Sequence, residues 1–301
     1  MTIFRRFTIL VLLCIFLSGC SVFGGGGKSV TIGGKNFTEQ YLLTQMTYFL
    51  LEEGGFQVKM MENLGSTVLR TALENGQVTL AWDYTGTAIV TYLGMDPITD
   101  PDEAYEELKR VDQKNGIAWV NPSKVNNTYA LAMTRDNAEE YGIESYSDLA
   151  DYVNEHPEEL TMGTDAQFAN REDGLPGVEE TYGFQFGAEN ITQMDSGLIY
   201  EALQSGNLDV GVAYETNAQI DAFDLVLLED DEKFFAPYNA ALAVSEEFLE
   251  EYPEVESILA PLAESLDSEV MRQLNYQVDI ERQSVAIVAH NYLVENGFLE
   301  E

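Results

Sequence analysis

Cysteine, histidine and basic side chains are all scarce in this chain, and each shortage removes a class of chemistry. Of 301 residues only two are cysteines, Cys14 and Cys20, both near the N-terminus. Everything after Cys20 therefore lacks a disulfide and a thiol nucleophile. The two histidines, His156 and His290, lie far apart with no nearby ligand pattern, which argues against a zinc site or a His-based triad. No Gly-x-Ser-x-Gly segment is present, so an α/β hydrolase, even a lipid-anchored one, is a distant alternative. No Gly-x-x-x-x-Gly-Lys-Ser/Thr run occurs, so no nucleotide or other cofactor is expected. Fifteen Lys and Arg stand against 52 Asp and Glu, a formal charge of −37. Such an excess repels nucleic acid and excludes it as a partner. With 45% hydrophobic and 11% aromatic residues the chain has ample material for a core. The acidity is read as a solvated shell of the halophile kind. At molar salt the Debye length is only about 3 Å, too short for distant carboxylates to steer a ligand.

Arg5 and Arg6 precede an apolar run from Phe7 to Leu17, followed by Leu17-Ser18-Gly19-Cys20. This arrangement predicts a signal peptide over residues 1–19 rather than a membrane span. The Leu-Ser-Gly-Cys ending resembles the bacterial lipobox, which implies lipidation at Cys20 and a lipid-anchored, extracytoplasmic protein. Residues 20–28, with four consecutive glycines, read as a flexible tether.

An internal repeat organises the rest. Val30-Thr31-Ile32-Gly33 is echoed 130 positions later by Leu160-Thr161-Met162-Gly163. The same shift carries Leu73, Gly76, Val78 and Leu80 onto Leu203, Gly206, Leu208 and Val210, and Tyr84 onto Tyr214. Each copy reads strand, helix, strand, helix, strand. In the first, Asn36 is a candidate helix cap with Glu39 three residues on, and Leu42, Leu43, Met46, Phe49 and Leu50 form the apolar face. Ser66 is a second candidate cap. The pattern predicts an α/β fold of two similar lobes with parallel sheets, which bind ligands at the carboxyl ends of their strands. Tyr129–Met133 and Ala240–Val244 are apolar segments able to pass between lobes, and the helical C-terminus returns to the first. The expected division is lobe 1 over residues 29–131 and 241–301 and lobe 2 over 132–240, with two hinge crossings.

Four tyrosines occupy special places. Tyr84 and Tyr214 close repeat-equivalent strands, and Tyr129 and Tyr238 adjoin the expected crossings. Four ring faces around one cleft suit a trimethylammonium group. It cannot donate a strong hydrogen bond and is held by cation–π attraction, about 0.5–2 kcal/mol per ring. A carboxylate on the same ligand would need donors. Lys35, Thr87 and Arg171 lie where an ammonium, a hydroxyl and a guanidinium fork could supply them.

Gly33-Gly34-Lys35-Asn36-Phe37-Thr38-Glu39-Gln40, Trp82-Asp83-Tyr84-Thr85-Gly86-Thr87, Asn127-Thr128-Tyr129-Ala130-Leu131 and Tyr214-Glu215-Thr216-Asn217 resemble the substrate-binding proteins of osmoprotectant ABC transporters. That family serves glycine betaine, proline betaine, choline and carnitine. The resemblance spans essentially everything after the tether. It implies a two-lobed periplasmic-binding-protein fold of type II, a non-enzymatic protein, and ligand held in an aromatic box. The box residues match Tyr84, Tyr129, Tyr214 and Tyr238, and the carboxylate positions match Lys35, Thr87 and Arg171. Membrane permease and ATPase subunits are the implied partners, and the chain is expected to act as a monomer. Thr216-Asn217-Ala218-Gln219 departs from the family's frequent Thr-Asp-Gly-Arg, which bears on substrate preference. Glycine betaine is the expected ligand, with choline or carnitine as alternatives.

Overall fold

The structure, a computed structural model, describes residues 27–166, 168–171 and 174–300. The expected signal peptide, Cys20 and most of the tether lie outside the described residues. Among the described residues ten strands run in chain order: β1 (Ser29–Lys35), β2 (Gln57–Leu64), β3 (Leu80–Tyr84), β4 (Ile117–Val120), β5 (Tyr129–Thr134), β6 (Met162–Thr164), β7 (Ile191–Gln193), β8 (Val210–Tyr214), β9 (Leu225–Leu227) and β10 (Ala240–Ser245). They form two five-stranded sheets, ordered β2-β1-β3-β10-β4 and β7-β6-β8-β5-β9.

The two orders are the same pattern written twice. β1 lies parallel between β2 and β3, as β6 lies between β7 and β8. β10 then runs antiparallel to β3, as β5 runs antiparallel to β8. The helices Ser66–Glu74 and Ser196–Gln204 are offset by the repeat spacing. Side-chain packing obeys the offset too. A Cβ on Gly33 would lie 2.4 Å from Leu69 and 2.8 Å from Val78, and one on Gly163 would lie 2.2 Å from Leu208. Leu208 is the repeat mate of Val78. Glycine is required at both places because the side chain just before the next strand, joined at Gly33 by Leu69 of the covering helix, presses onto the strand backbone.

In the first lobe the sheet is covered on both faces, so its central strands are apolar on both sides. One layer is the helix Thr38–Glu53, whose Leu42, Leu43, Met46 and Leu51 are fully buried, with the C-terminal helices packed on it. The other centres on Leu69, Val78, Trp119 and Leu108. Full burial of such side chains contributes about 1.5–3 kcal/mol each. The polar ends of the two tryptophans are met inside: Trp82 Nε1 donates to Thr47 Oγ1 at 2.9 Å and Trp119 Nε1 to Asp112 Oδ2 at 2.7 Å. The second lobe has its own core around Leu131, Met162, Phe168, Ile199 and Val212.

Three local expectations differ from the structure. The first helix is capped at Phe37 without a side-chain bond, so Asn36 does not cap it. Ser66 is the first helical residue after Gly65 rather than the cap. Tyr129–Leu131, assigned to lobe 1 from the sequence, pair wholly within the second sheet. The chain therefore crosses at Asn126–Thr128, and returns at Ala236–Asn239. The crossings lie antiparallel: Asn127 N donates to Tyr238 O at 3.1 Å, Tyr238 N to Asn126 Oδ1 at 2.7 Å, and Thr128 Oγ1 to Ala236 O at 3.1 Å. The sequence missed this boundary because the strand after each crossing is as apolar as any core strand.

Candidate functional site

The strand after the first crossing puts two of the four tyrosines opposite each other. Tyr129 of β5 pairs in register with Tyr214 of β8, and their ring centroids are 5.0 Å apart. Phe168 and Phe235 flank Tyr129 at 5.2 and 6.1 Å. Tyr200 buttresses the pair from below, its hydroxyl accepting from Tyr214 N at 3.0 Å. Burial, then the neighbouring Tyr129, pushes the Tyr214 phenol well above its usual pKa, so it remains neutral.

The paired rings stand between two cavities in the cleft. One, of about 450 Å³, is lined by Tyr129, Arg171, Phe235 and Tyr238 from the second lobe and hinge, and by Val90 and Met95 from the first. Tyr238 packs against Gly86, where a Cβ would come within 2.8 Å of the ring. The other cavity, of about 440 Å³, is lined by Tyr214, Thr216 and Ser196 from one side and Phe37, Glu39 and Asn275 from the other.

Tyr84 is placed differently. It ends β3 opposite Ala240 and is only 4% exposed. Its hydroxyl donates to Glu39 Oε1 and accepts from Gln40 Nε2 at 3.1 Å. Burial, then the Glu39 charge, raises its pKa strongly. The ammonium of Lys35 lies 4.9 Å from the Tyr84 ring centroid, and the Phe37 ring stacks on Tyr84 at 6.3 Å. Lys35 is itself buried and ion-paired with Asp83 at 2.6 Å. Asp83 also accepts from Tyr84 N at 2.8 Å and from the Tyr92 hydroxyl at 2.9 Å. Thr87 opens the π-helical turn Thr87–Tyr92 and is half-buried. Thus the structure gathers Tyr129, Tyr238 and Arg171 around one cavity, sets Tyr214 beside the other, and commits Tyr84 and Lys35 to an internal network.

That network contains residues the sequence reading passed over. Glu39, taken for a capping partner, turns inward instead and is 2% exposed. Burial raises its pKa, while polar groups of Tyr84, Thr216, Asn127 and Asn275 pull the other way. The same seam joins the lobes along the helix Ser268–Asp279. Asn275 Nδ2 donates to Thr216 O at 2.9 Å, Arg272 Nη1 to Glu215 O at 3.0 Å, and Arg272 also pairs with Asp221 at 3.2 Å. Asn126 Nδ2 reaches Glu215 Oε2 at 3.0 Å. No sequence pattern marks these contacts, because each joins segments far apart in the chain.

Two α/β lobes on a two-crossing hinge, with cavities opening between them, define a solute-binding protein of the type II periplasmic-binding-protein class. The sequence matches the family described as the substrate binding domain of ABC-type glycine betaine transport system over residues 28–295, and the chain belongs to that family. It is 39% identical to the glycine-betaine-binding protein of Pseudomonas aeruginosa, over 96% of this chain and 95% of that one. It is 34% identical to the carnitine transport binding protein of Listeria monocytogenes, covering 98% and 96%. A crystal structure described as a glycine betaine/carnitine/choline ABC transporter superimposes with a TM-score of 0.82 at 32% identity, over 89% of this chain and 99% of that one. The chain is thus the substrate-binding component of an ABC importer. Among the described residues no helix is long and apolar enough to cross a membrane.

Proposed function

We propose that this protein captures a quaternary-ammonium compatible solute, with glycine betaine the first choice, and presents it to a membrane permease driven by an ATPase subunit. The Tyr129–Tyr214 pair carries the reading. Two phenol rings 5.0 Å apart at the strand ends offer electron-rich faces where a trimethylammonium group can lose its water. Tyr238 and Arg171 line the same cavity as Tyr129, so a ring face and a guanidinium lie within one small ligand's reach. Tyr84, Thr87 and Lys35 are the first-lobe residues that would complete the box in the closed state, which requires Tyr84 and Lys35 to give up their contacts with Glu39 and Asp83. Ligand touching both lobes favours the closed state, since only closure makes both sets of contacts. Lipidation at Cys20 would hold a monomer at the outer face of the membrane, and the acidic shell suits a saline exterior.

Calorimetric titration with glycine betaine tests this directly. Tyr129→Ala and Tyr214→Ala should each weaken binding about tenfold or more, as loss of a desolvated cation–π partner predicts. Unchanged affinity in both variants would remove the aromatic box. A choline or carnitine preference is the second reading, favoured by the carnitine-binding relative at 34% identity.

A further inference from the structure

Where the first lobe meets the second, beside Tyr214, a buried carboxyl stands at the point that joins them. Glu39 projects from the helix Thr38–Glu53 and is 2% exposed. Its Oε1 accepts from the Tyr84 hydroxyl and, at 3.3 Å, from Asn127 Nδ2 in the crossing. Thr216 of the second lobe and Asn275 of the helix Ser268–Asp279 also reach the carboxyl with their side chains. Asn275 Nδ2 donates to Thr216 O at 2.9 Å, so this pair both touches Glu39 and ties lobe to lobe. The oxygens of the two amides, Asn127 Oδ1 and Asn275 Oδ1, are buried and take no hydrogen bond. A proton on Glu39 Oε2 supplies a donor that one of them lacks. No cation takes its place, since the residues lining this cavity include no lysine, arginine or histidine. On the flanking elements Lys35 is held by Asp83 and Arg272 by Asp221. The other carboxyls near the seam are Glu215, bonded by Asn126 at 3.0 Å, and Asp279, which accepts from the Thr38 hydroxyl at 2.6 Å. The phenols of Tyr84, Tyr200 and Tyr214 are pushed up by burial and stay neutral. Burial likewise raises the pKa of Glu39, against the pull of its four polar neighbours.

Resting on the quaternary-ammonium reading above, we infer that a proton carried on Glu39 holds the seam between the lobes, and that ligand capture is linked to that proton. With the acid protonated, Glu39 bridges the first lobe, the crossing and the Asn275–Thr216 tie. With it ionised, a buried charge faces two bare amide oxygens and the seam loosens. Thr216 lies two residues beyond Tyr214, and both line the same cavity, so a loosened seam displaces the ring that the ligand needs. A ligand that must touch both lobes therefore binds the protonated form more tightly. By linkage the ligand-bound protein keeps its proton to a higher pH than the free protein. Affinity is full while the free protein is protonated, falls as pH rises past the point where it loses that proton, and levels off once the bound form loses it too.

Glycine betaine suits the test because it has no group that titrates near neutrality. Calorimetry on the full chain from about pH 5 to about pH 9 should show its affinity falling with pH, by at most about tenfold per unit where Glu39 titrates. Repeated in buffers of different ionisation heat, the titrations should show uptake of up to about one proton in the same interval. Glu39→Gln keeps a neutral donor and acceptor in place, and its affinity should not vary with pH, whatever its value. Level affinity in the unaltered protein, with no proton taken up, overturns the inference and leaves the quaternary-ammonium reading standing. A slope that persists in Glu39→Gln also overturns it. Where Glu39→Gln does not fold, uptake that survives in both Glu215→Gln and Asp279→Asn supports Glu39, and uptake lost in either overturns it. If glycine betaine, choline and carnitine all give no binding heat at any pH, the reading itself falls, and this inference with it.

Discussion

Lys35 shows how far a residue's chemistry can be read before its neighbours are known. Its position at the end of β1 suits a ligand carboxylate, yet Asp83 already claims its charge at 2.6 Å, with both side chains 5% exposed. Removing one partner of a buried pair leaves the other charged and unsolvated, at a cost of about 3–5 kcal/mol. Lys35→Met should therefore lower the urea midpoint sharply, and Lys35→Met with Asp83→Asn should recover most of the loss. If Lys35→Met leaves the midpoint unmoved but weakens carboxylate ligands and spares choline, the lysine serves the ligand. Glu39 makes a prediction with a definite sign. Burial holds its folded pKa above the ordinary value of 4.5. The native state thus favours the protonated acid, and that contribution is complete below about pH 4.5 and lost as pH rises through the folded pKa. Unfolding of the wild type minus that of Glu39→Gln should show stability falling over this window. A flat difference would mean that Glu39 ionises as freely folded as unfolded. Repeat and spacing singled out Tyr129, Tyr214, Tyr238 and Arg171, which line cavities in the structure, and also Tyr84, which the structure turns into the first lobe's interior. Glu39, Asn127 and Asn275 were not legible in the sequence, since a carboxylate and two amides acquire a role only when burial removes their water.

At the scale of the element, the repeat was the most legible feature. Glycine at 33 and 163, and apolar residues at 78 and 208, are a strand and the segment leading into its neighbour stating one packing requirement twice. The crossings were less legible, because β5 and β10 follow them immediately and carry the same Ala, Leu and Val content as interior strands. Only the pairing of Tyr129 with Tyr214 and of Ala240 with Tyr84 decides which sheet each joins. The helix caps were misread by a residue because Asn36 and Ser66 have the right chemistry one place away from where the backbone turns. The glycine requirement can be tested against a control. Gly33→Ala and Gly163→Ala each force a methyl to within 2.4 Å of a neighbouring side chain. Overpacking of this kind costs about 1–3 kcal/mol. Gly65→Ala meets nothing within 4 Å, and φ there is −72°, so it should be neutral or stabilising by about 0.4–1 kcal/mol. Denaturant curves giving all three the same midpoint would show that the close approach at β1 and β6 relaxes freely.

For the whole molecule the governing quantity is charge. With 52 Asp and Glu against 15 Lys and Arg, a net −37, most carboxylates have no cation to pair with. Self-repulsion of that size disfavours the compact state. It also divides the ion pairs into two kinds. Arg70 with Asp112 and Lys35 with Asp83 are buried, and salt scarcely reaches them. Surface pairs such as Arg110–Glu107 are exposed and contribute little even without salt. Added salt therefore screens a large repulsion while weakening little that holds the fold together. The melting temperature should rise with potassium chloride, and most steeply at the dilute end. The Debye length falls from about 30 Å at 0.01 M to about 10 Å at 0.1 M, and only to about 3 Å at 1 M. A rise spread evenly up to several molar would instead indicate exclusion of salt from the surface. A melting temperature that falls as salt is first added would show that attraction between surface charges outweighs repulsion, and the acidic shell would then need another explanation.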